Sequence, residues 1–392
     1  MSSSSLITHY SSLTYLDSLQ GSGIRPGLSR IRAMLRALHH PERKYESIIV
    51  AGTNGKGSTS SMIASILHES GKRVGLYTSP HLVDIRERWT IDGVMIDPKL
   101  LDESIEELRH ASGITPTYFE ALTIVAFIAF ARAKCDVAVL EVGMGGRLDA
   151  TNVVKPIAAV ITPIGIDHTE YLGTSIRQIA REKAGVIHRG AVVLTSNDDP
   201  VIVDVIRKRA AKFGNEMHVV RGEHDTPLAG DYQRRNAALA VATARALHID
   251  EDAIERGVRN TTWRGRLEHL RVRGKDIWID GAHNAHAARA IALFIAQLPR
   301  PRTLVFGIMS DKQVVEVQGT LYPLFDEIIT TEPYPPRSAS AASLANAPNT
   351  FAEPDVNRAI ERALSSAAAT IFIGGSLYLA GAAIAFFDKI AE

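Results

Sequence analysis

Short apolar runs alternate with stretches of helical length along most of this 392-residue chain. In the first half the apolar runs include SIIVAG, VAVLEVG and IAAVIT, and amphipathic or apolar helical stretches separate them. Strands that are apolar on both faces and separated by helices are typical of a parallel sheet covered by helices on both sides. The sequence therefore predicts a doubly wound α/β fold.

The alternation is interrupted near Trp263–His269 by a polar segment containing glycine, and it then begins again. A chain of this length is also too long for one ordinary hydrophobic core. We therefore predict two α/β domains, one at residues 1–264 and the other at residues 265–392.

Charge and cysteine content argue against several classes of protein. The net charge of +1 gives no reason to expect a nucleic acid or an acidic membrane as a partner. Cys135 is the only cysteine, so no internal disulfide can form, and we predict a reducing, cytoplasmic location. The first residues contain neither a basic region nor a long apolar run, so no signal peptide is predicted.

One uncharged segment, at residues 363–387, is long enough to span a bilayer. Within it, however, ATIFI is typical of a short strand, GGS of a turn, and LYLAGAAIAFF of a buried helix. We therefore predict no membrane span.

The segment GTNGKGS, at residues 52–58, lies between an apolar strand and a helical stretch. Its three glycines allow backbone amides to curve around an anion, and the helix N-terminus and Lys56 add positive charge. Ser58 or Thr59 can cap the helix or reach Mg²⁺. The spacing departs from the general phosphate-loop pattern, so a plain strand-to-helix turn is the alternative.

Further polar residues follow predicted strands in the first half. Glu141 ends an apolar run at the same sheet edge as the glycine-rich loop, where a carboxylate suits Mg²⁺, although a helix-cap or ion-pair role is equally consistent. His168 follows the next strand, and a lone histidine there is more often a hydrogen-bonded loop residue. Lys183, near a helix end, is by itself typical of a solvated surface lysine.

The second half contains WIDGAHN, in which Asp280 ends a strand and Asn284 begins a helix. The structural alternative is an ordinary strand-to-helix loop with a helix N-cap. The functional alternative is a polar wall that closes over a nucleotide held by the first domain.

Five ordered motifs resemble those of the folylpolyglutamate synthase/dihydrofolate synthase family, bifunctional bacterial type, which is Mur-ligase-like. They are GTNGKGS, TSPHL, EVGMGGRLDATN, DHTEYLG with IAREKAGV, and WRGRLE with DGAHN. GTNGKGS has the loop spacing of that family, so the resemblance favours an ATP site over a plain turn. It implies an N-terminal P-loop ATPase-like domain with a mainly parallel sheet and a C-terminal Rossmann-like domain. Ala285 departs from the proline of the family, and we expect only a small effect on stability.

The resemblance also implies the residues of each site. The ATP-binding residues are Gly52, Thr53, Asn54, Gly55, Lys56, Gly57, Ser58, Asn236, Arg266 and Asp280. Two Mg²⁺ ions are implied, with the ligands Ser79, Glu141, His168 and a carbamylated Lys183. Lys56, His168 and Lys183 are the implied catalytic residues. The implied pterin site consists of Gly27, Leu28, Ser29, Thr117, Tyr118, Phe119, Glu120, Leu148, Asp149 and Ala150.

The activity implied by the resemblance is ATP-dependent amide ligation by a monomer. A substrate carboxylate attacks the γ-phosphate of ATP, and the amine of L-glutamate then displaces phosphate from the acyl phosphate. The acceptor is dihydropteroate, a folate (poly)glutamate, or both. The alternatives are a Mur-type ligase for another carboxylate, which usually has a further N-terminal domain, a P-loop kinase, and a non-catalytic nucleotide-binding module.

Overall fold

The structure, a computed structural model, describes residues 11–23, 25–111 and 113–391. Most of the N-terminal segment considered for a signal peptide therefore lies outside the described residues. The helices are α1 Ser11–Ser18, α2 Ser29–Ala37, α3 Lys56–Glu69, α4 Pro98–His110, α5 Tyr118–Arg132, α6 Thr169–Leu172, α7 Ile176–Lys183, α8 Pro200–Phe213, α9 Asp231–Ala246, α10 Glu251–Arg259, α11 Ala285–Ile295, α12 Val314–Leu321, α13 Ala341–Leu344, α14 Val356–Ser365 and α15 Leu377–Ala391.

The strands form two sheets, as the alternation of apolar runs predicts. The strands are β1 Glu46–Ala51, β2 Val74–Tyr77, β3 Trp89–Ile91, β4 Val94–Met95, β5 Val137–Glu141, β6 Ala158–Ile161, β7 Val192–Thr195, β8 Met217–Val219, β9 Glu268–Val272, β10 Lys275–Asp280, β11 Arg302–Phe306, β12 Glu327–Thr330, β13 Thr350–Ala352 and β14 Thr370–Gly374. The first sheet has the order β4-β3-β2-β5-β1-β6-β7-β8, and the second has the order β13-β12-β11-β14-β10-β9.

Both sheets are mainly parallel, which confirms the predicted fold class. In the first sheet β1 pairs in parallel with β5 and β6, and all but the first of its residues are buried. Separate hydrophobic clusters pack on the faces of each sheet. The antiparallel edge strands β3, β4 and β9 were not predicted, because they are short or half-exposed and lack a long apolar run.

The segment between the two sheets contains α9 and α10, which pack against α3 of the first domain. The first strand of the second sheet, β9, begins at Glu268. The boundary between residues 264 and 265 stays a prediction.

The uncharged run at residues 363–387 is shared between the end of α14, the strand β14 and most of α15. Throughout the part of the chain that the structure describes, every helix is too short or too polar to cross a membrane.

Helix α10 approaches α3 at a glycine. A Cβ atom on Gly257 would lie only 2.3 Å from the Cα atom of Ile66, so only glycine fits at this crossing without displacing backbone. The hydroxyl of Ser65 donates a hydrogen bond of 2.7 Å to the Gly257 carbonyl oxygen and fixes the same contact.

We expect Gly257→Ala to lower the free energy of unfolding by roughly 1–3 kcal/mol, the usual cost of overpacking, even though alanine favours a helix by about 1 kcal/mol over glycine. Thermal unfolding checks this, with Gly319→Ala in α12 as the matched control, because a Cβ atom there meets no atom within 4 Å. The control should unfold at the same or a higher temperature. Equal shifts of the unfolding temperature in both variants would contradict the prediction that a Cβ atom at Gly257 overpacks the contact with α3.

Candidate active site

A cleft with a cavity of about 890 Å³ lies between the two sheets. Loops that follow β1, β2, β5, β6 and β7 form one wall, and loops that follow β10, β11, β12 and β14 form the other. Since ligands of open parallel sheets bind at the carboxyl ends of the strands, this cleft is the candidate active site. The predicted nucleotide, metal and catalytic residues all line it: Gly52, Thr53, Asn54, Gly55, Lys56, Gly57, Ser58, Ser79, Glu141, His168, Lys183, Asn236, Arg266 and Asp280.

The glycine-rich loop joins β1 to α3 in a conformation that requires glycine. Gly52 and Gly55 have φ angles of 152° and 84°, and a Cβ atom on Gly52 would lie 1.8 Å from the Thr162 hydroxyl oxygen. Among the described residues no side chain caps the N-terminus of α3 at Gly55, so the first-turn amides are available to an anion. Lys56 Nζ donates to the Thr53 carbonyl oxygen at 3.1 Å and lies over the loop.

Glu141 and Ser79 lie side by side at the ends of β5 and β2. The Ser79 amide donates to Glu141 Oε2 at 3.0 Å, and the carboxylate is 5% exposed. Burial raises the pKa of Glu141, and the positive charge of Lys56 opposes that rise. A cation in the cleft would therefore be attracted to this carboxylate.

These residues fit a nucleotide-bound Mg²⁺ better than a metal site made of protein alone. Among residues 11–23, 25–111 and 113–391, no group of three or more His, Cys, Asp or Glu side chains could hold a metal ion. Mg²⁺ is usually held by one or two carboxylates together with phosphate oxygens and water. Glu141 and the neighbouring Ser79 supply oxygen ligands of that kind.

His168 lies on the loop after β6 with a left-handed backbone, φ 51°, and its side chain is 39% exposed. Burial lowers its pKa, and Lys312, Lys56 and Lys183 lower it further, against the opposing charge of Asp167. The imidazole is therefore neutral at neutral pH, which is the form that binds a metal.

Lys183 is buried, which excludes the alternative of a solvated surface lysine. Its side chain is 4% exposed at the end of α7, and Nζ donates to the Gly52 carbonyl oxygen at 2.8 Å. Burial, reinforced by the charge of Lys56, lowers the pKa of Lys183 to about 7. A substantial fraction of the amine is therefore neutral and nucleophilic at neutral pH.

Asp280 is buried at the end of β10 and connects the wall of the second domain to α9 of the first. Its carboxylate accepts hydrogen bonds from the amides of Leu267 (2.9 Å) and Ala282 (2.7 Å) and from the Tyr232 hydroxyl (3.3 Å). Burial raises the pKa of Asp280, and the nearby charge of Arg266 opposes that rise.

Asn284 caps α11, as the structural alternative predicts, and it also contacts the first domain. Its Oδ1 accepts a hydrogen bond from the Ala287 amide at 2.9 Å and so caps α11, whose first residue is Ala285. Its Nδ2 also donates across the cleft to Asn54 Oδ1 at 3.1 Å and to Asp167 Oδ2 at 3.2 Å. The helix cap therefore also connects the two domains.

Lys312 is a site residue that the sequence analysis missed. It is 11% exposed, and Nζ forms an ion pair of 3.2 Å with Asp167 Oδ1 in the other domain. His283 beside it is half-buried, and loss of solvent around the ring lowers its pKa to about 4. Lys312 follows β11, so the sheet-edge rule that selected Glu141 could also have found it.

The predicted pterin residues fall into two groups. Tyr118 and Phe119, at the start of α5, line the cavity. The others lie outside the residues that line it, although an ion pair of 3.1 Å between Arg30 and Glu120 joins the start of α2 to α5. The group outside the lining is Gly27, Leu28, Ser29, Thr117, Glu120, Leu148, Asp149 and Ala150.

Asp149 is already satisfied by its own loop. Its carboxylate accepts hydrogen bonds from the Met144 amide (3.0 Å) and from the amide and hydroxyl of Thr151 (3.0 and 2.6 Å). Its role in the structure is therefore to hold the EVGMGGRLDATN loop closed.

Both domains match models of the Mur ligases. The Mur ligase middle domain matches residues 50–225, and the Mur ligase, glutamate ligase domain matches residues 265–377. Together with a glycine-rich loop that faces a second domain across a cleft, these matches place the protein in the Mur ligase class.

Relatives within that class narrow the assignment. Dihydrofolate synthase/folylpolyglutamate synthase of Mycobacterium tuberculosis is 36% identical, over 86% of this chain and 80% of the relative. The structure of Escherichia coli FolC in complex with DHPP and ADP has a TM-score of 0.89 at 31% identity and covers 97% of each chain. The structure of bifunctional folylpolyglutamate synthase/dihydrofolate synthase from Yersinia pestis, complexed with AMPPNP and Mn ion, has a TM-score of 0.85 at 31% identity, covering 96% of this chain and 97% of that one. The chain belongs to the folylpolyglutamate synthase/dihydrofolate synthase family.

Some relatives in the same comparison are much longer. The probable bifunctional folylpolyglutamate synthase/dihydropteroate synthase of Halobacterium salinarum matches 93% of this chain, which spans 50% of that relative. This chain spans 42% of the length of the corresponding protein of Haloferax volcanii. The chain therefore spans about half the length of these two relatives.

Proposed function

We propose that this protein is an ATP- and Mg²⁺-dependent ligase that joins L-glutamate to dihydropteroate, to folate (poly)glutamates, or to both, through an acyl phosphate. The observation that carries the proposal is the convergence of the phosphate loop, Glu141, His168 and Lys183 on one cleft that the second domain faces. A Mur-type ligase for another carboxylate is the alternative.

Phosphoryl transfer of this kind depends mainly on positioning and on neutralising charge. The free amides at the start of α3 and the charge of Lys56 would hold the phosphates of ATP. Mg²⁺ held by Ser79, Glu141 and His168 would neutralise phosphate charge so that an anionic carboxylate can approach. We assign no side chain of the cleft as the group that attacks ATP, since Lys183 is assigned to carbamylation, and the substrate carboxylate would attack the γ-phosphate directly.

The second domain would complete the site from the opposite wall. Asp280 and Arg266 lie in the cavity wall where the family resemblance implies nucleotide contacts. The pair of Lys312 and Asp167 and the contacts of Asn284 with Asn54 hold the two walls together. An acyl phosphate formed between these walls would be protected from water, which favours attack by an amine over hydrolysis.

The acceptor is inferred from the lining of one end of the cleft. Tyr118 and Phe119 offer aromatic surface in the cavity wall, and this suits a flat, ring-containing carboxylate such as dihydropteroate. The two similar structures named with ADP or AMPPNP, one of which also contains DHPP, support a nucleotide together with such a substrate. The use of two Mg²⁺ ions, a monomeric state and a cytoplasmic location stay predictions.

We expect the purified protein to form ADP and an amide product when ATP, Mg²⁺ and L-glutamate are supplied with dihydropteroate. Tetrahydrofolate assayed in parallel decides between dihydrofolate synthase activity, folylpolyglutamate synthase activity and both. Omission of the acceptor is the control and should abolish ADP formation. Transfer of phosphate without amide formation would instead indicate a kinase, and the absence of product with both acceptors would contradict the proposed substrates.

A further inference from the structure

The loop after β12 holds the backbone of an arginine, Arg337, in a fixed position at the cleft. The amides of Arg337 and Ser338 donate to the Tyr334 carbonyl oxygen at 3.0 and 3.1 Å, and the Tyr334 amide donates to Ser338 Oγ at 2.8 Å. From the neighbouring loop, the amide and hydroxyl of Ser310 both donate to the Arg337 carbonyl oxygen, at 2.9 and 3.0 Å. The backbone of Arg337 is therefore held on two sides.

The side chain of Arg337, by contrast, has hydrogen-bond donors without an acceptor among the described residues. It is exposed and lines the cavity, and its guanidinium group makes no hydrogen bond or ion pair with any residue that the structure describes. Two lysines of the cleft are occupied by protein acceptors, Lys183 by the Gly52 carbonyl oxygen and Lys312 by Asp167. Arg289, an exposed arginine of α11, also lines the cavity. It too has no hydrogen bond or ion pair with any residue that the structure describes, but only Arg337 lies on the loop after β12. Arg337 is therefore a charge presented to whatever enters the cleft.

Aromatic side chains define the surroundings of this arginine. The ring of Tyr334 stacks on that of Tyr378, with centroids 4.7 Å apart and an angle of 17° between the planes, and so ties the loop to the start of α15. Tyr378 lines the cavity, and so does Tyr118 of the first domain. Phenol hydroxyls and the buried Arg88 are therefore present in the same cavity.

The loop also lies close to the phosphate end of the cleft. Strand β12 is next to β11, and Ser310, which binds the Arg337 carbonyl oxygen, is two residues before Lys312. Lys312 pairs with Asp167, the neighbour of His168. A substrate with its reacting group near His168 can thus extend along this wall toward Arg337.

We propose that Arg337 is a specificity residue that binds an unreacted carboxylate of a glutamyl unit, a proposal that rests on the function given above. When the amine of glutamate forms the amide, both of its carboxylates remain as anions that need a partner. A guanidinium group binds a carboxylate through two parallel hydrogen bonds, and the loop fixes the backbone from which the Arg337 side chain extends. The glutamyl unit is either the incoming L-glutamate or a residue already attached to the acceptor.

Steady-state kinetics of Arg337→Gln and Arg337→Lys in the full chain, with ATP and Mg²⁺, distinguish the two sources. Dihydropteroate carries no glutamyl unit, whereas monoglutamyl and diglutamyl tetrahydrofolate do. Arg358→Gln is the matched control, because Arg358 is an exposed arginine of α14 outside the cavity lining. Unchanged thermal unfolding of each variant shows that the fold is retained.

If Arg337 binds the incoming amino acid, Arg337→Gln raises the KM for L-glutamate at least tenfold with every acceptor that is turned over, kcat changes less, and Arg337→Lys recovers part of the loss. If it binds the acceptor, the KM for glutamylated folates rises at least tenfold while that for dihydropteroate stays within twofold. KM values within twofold of wild type for all substrates would overturn the role of Arg337 but not the proposed ligase function. An inactive wild-type protein would instead overturn the proposed function, so the two failures are distinguishable.

Discussion

Lys56→Ala should reduce ATP-dependent amide formation by at least about 100-fold while the protein stays folded, because loss of one preorganised charge stabiliser commonly costs 10²–10³ in rate. Lys56 lies among three glycines at the uncapped start of α3, where backbone amides alone cannot neutralise a triphosphate. The charge of Lys56 also opposes the rise in the pKa of Glu141 that burial causes. The same charge would therefore stabilise both the ionised carboxylate and the phosphates.

The measurement is the rate of ADP and amide formation at saturating ATP, together with the midpoint of thermal unfolding. Lys99→Ala is the control, because Lys99 is an exposed lysine of α4 away from the cavity. It should behave as wild type. Near-normal turnover by a folded Lys56→Ala protein would remove the assignment of GTNGKGS as the ATP site.

Lys183 should carry a carbamate, and both Lys183→Ala and Lys183→Met should lose most of the ligase activity. Carbon dioxide adds only to a neutral amine, and burial lowers the pKa of Lys183 to about 7 from an ordinary value near 10.5. Carbamylation converts a buried cation into an anion. That anion can contribute to a metal site in which Glu141 is the one carboxylate that we assign as a ligand.

The pH dependence follows from the direction of this shift. About half of the amine is neutral near pH 7, and the neutral fraction falls roughly tenfold for each pH unit below that value. Incorporation of ¹³C-labelled bicarbonate, followed by NMR, should therefore decrease as the pH falls below 7. The labelled signal should be absent from both variants.

Lys183→Met is the sharper of the two variants, since it keeps the volume of the buried stem and so limits the effect of a cavity. Added short carboxylates should partly restore the activity of Lys183→Ala, which has space for them. A wild-type protein that turns over without any incorporated label would refute carbamylation, whereas a fully active Lys183→Met protein would exclude Lys183 from the chemistry altogether.

The sequence by itself determined the fold class and the position of the glycine-rich loop between β1 and α3. The apolar runs of β1, β5 and β6 are continuous because these strands are buried on both faces, and that pattern is local and readable. The glycines of GTNGKGS are likewise a local requirement, because backbone with positive φ angles excludes most other residues. The resemblance to the family, on five motifs, is confirmed by the relatives and the two domain models.

Only the tertiary structure decided which polar residues act together. Lys183 has the local pattern of a surface lysine, yet its amine meets a carbonyl group 131 residues earlier in the chain and is buried there. Lys312 and Asp167 are 145 residues apart and become a pair only when the two domains face each other. The burial and the pKa of a side chain depend on such distant contacts, which no periodicity in the sequence encodes. Strands and tight loops depend on neighbouring residues, and the local sequence pattern does encode those.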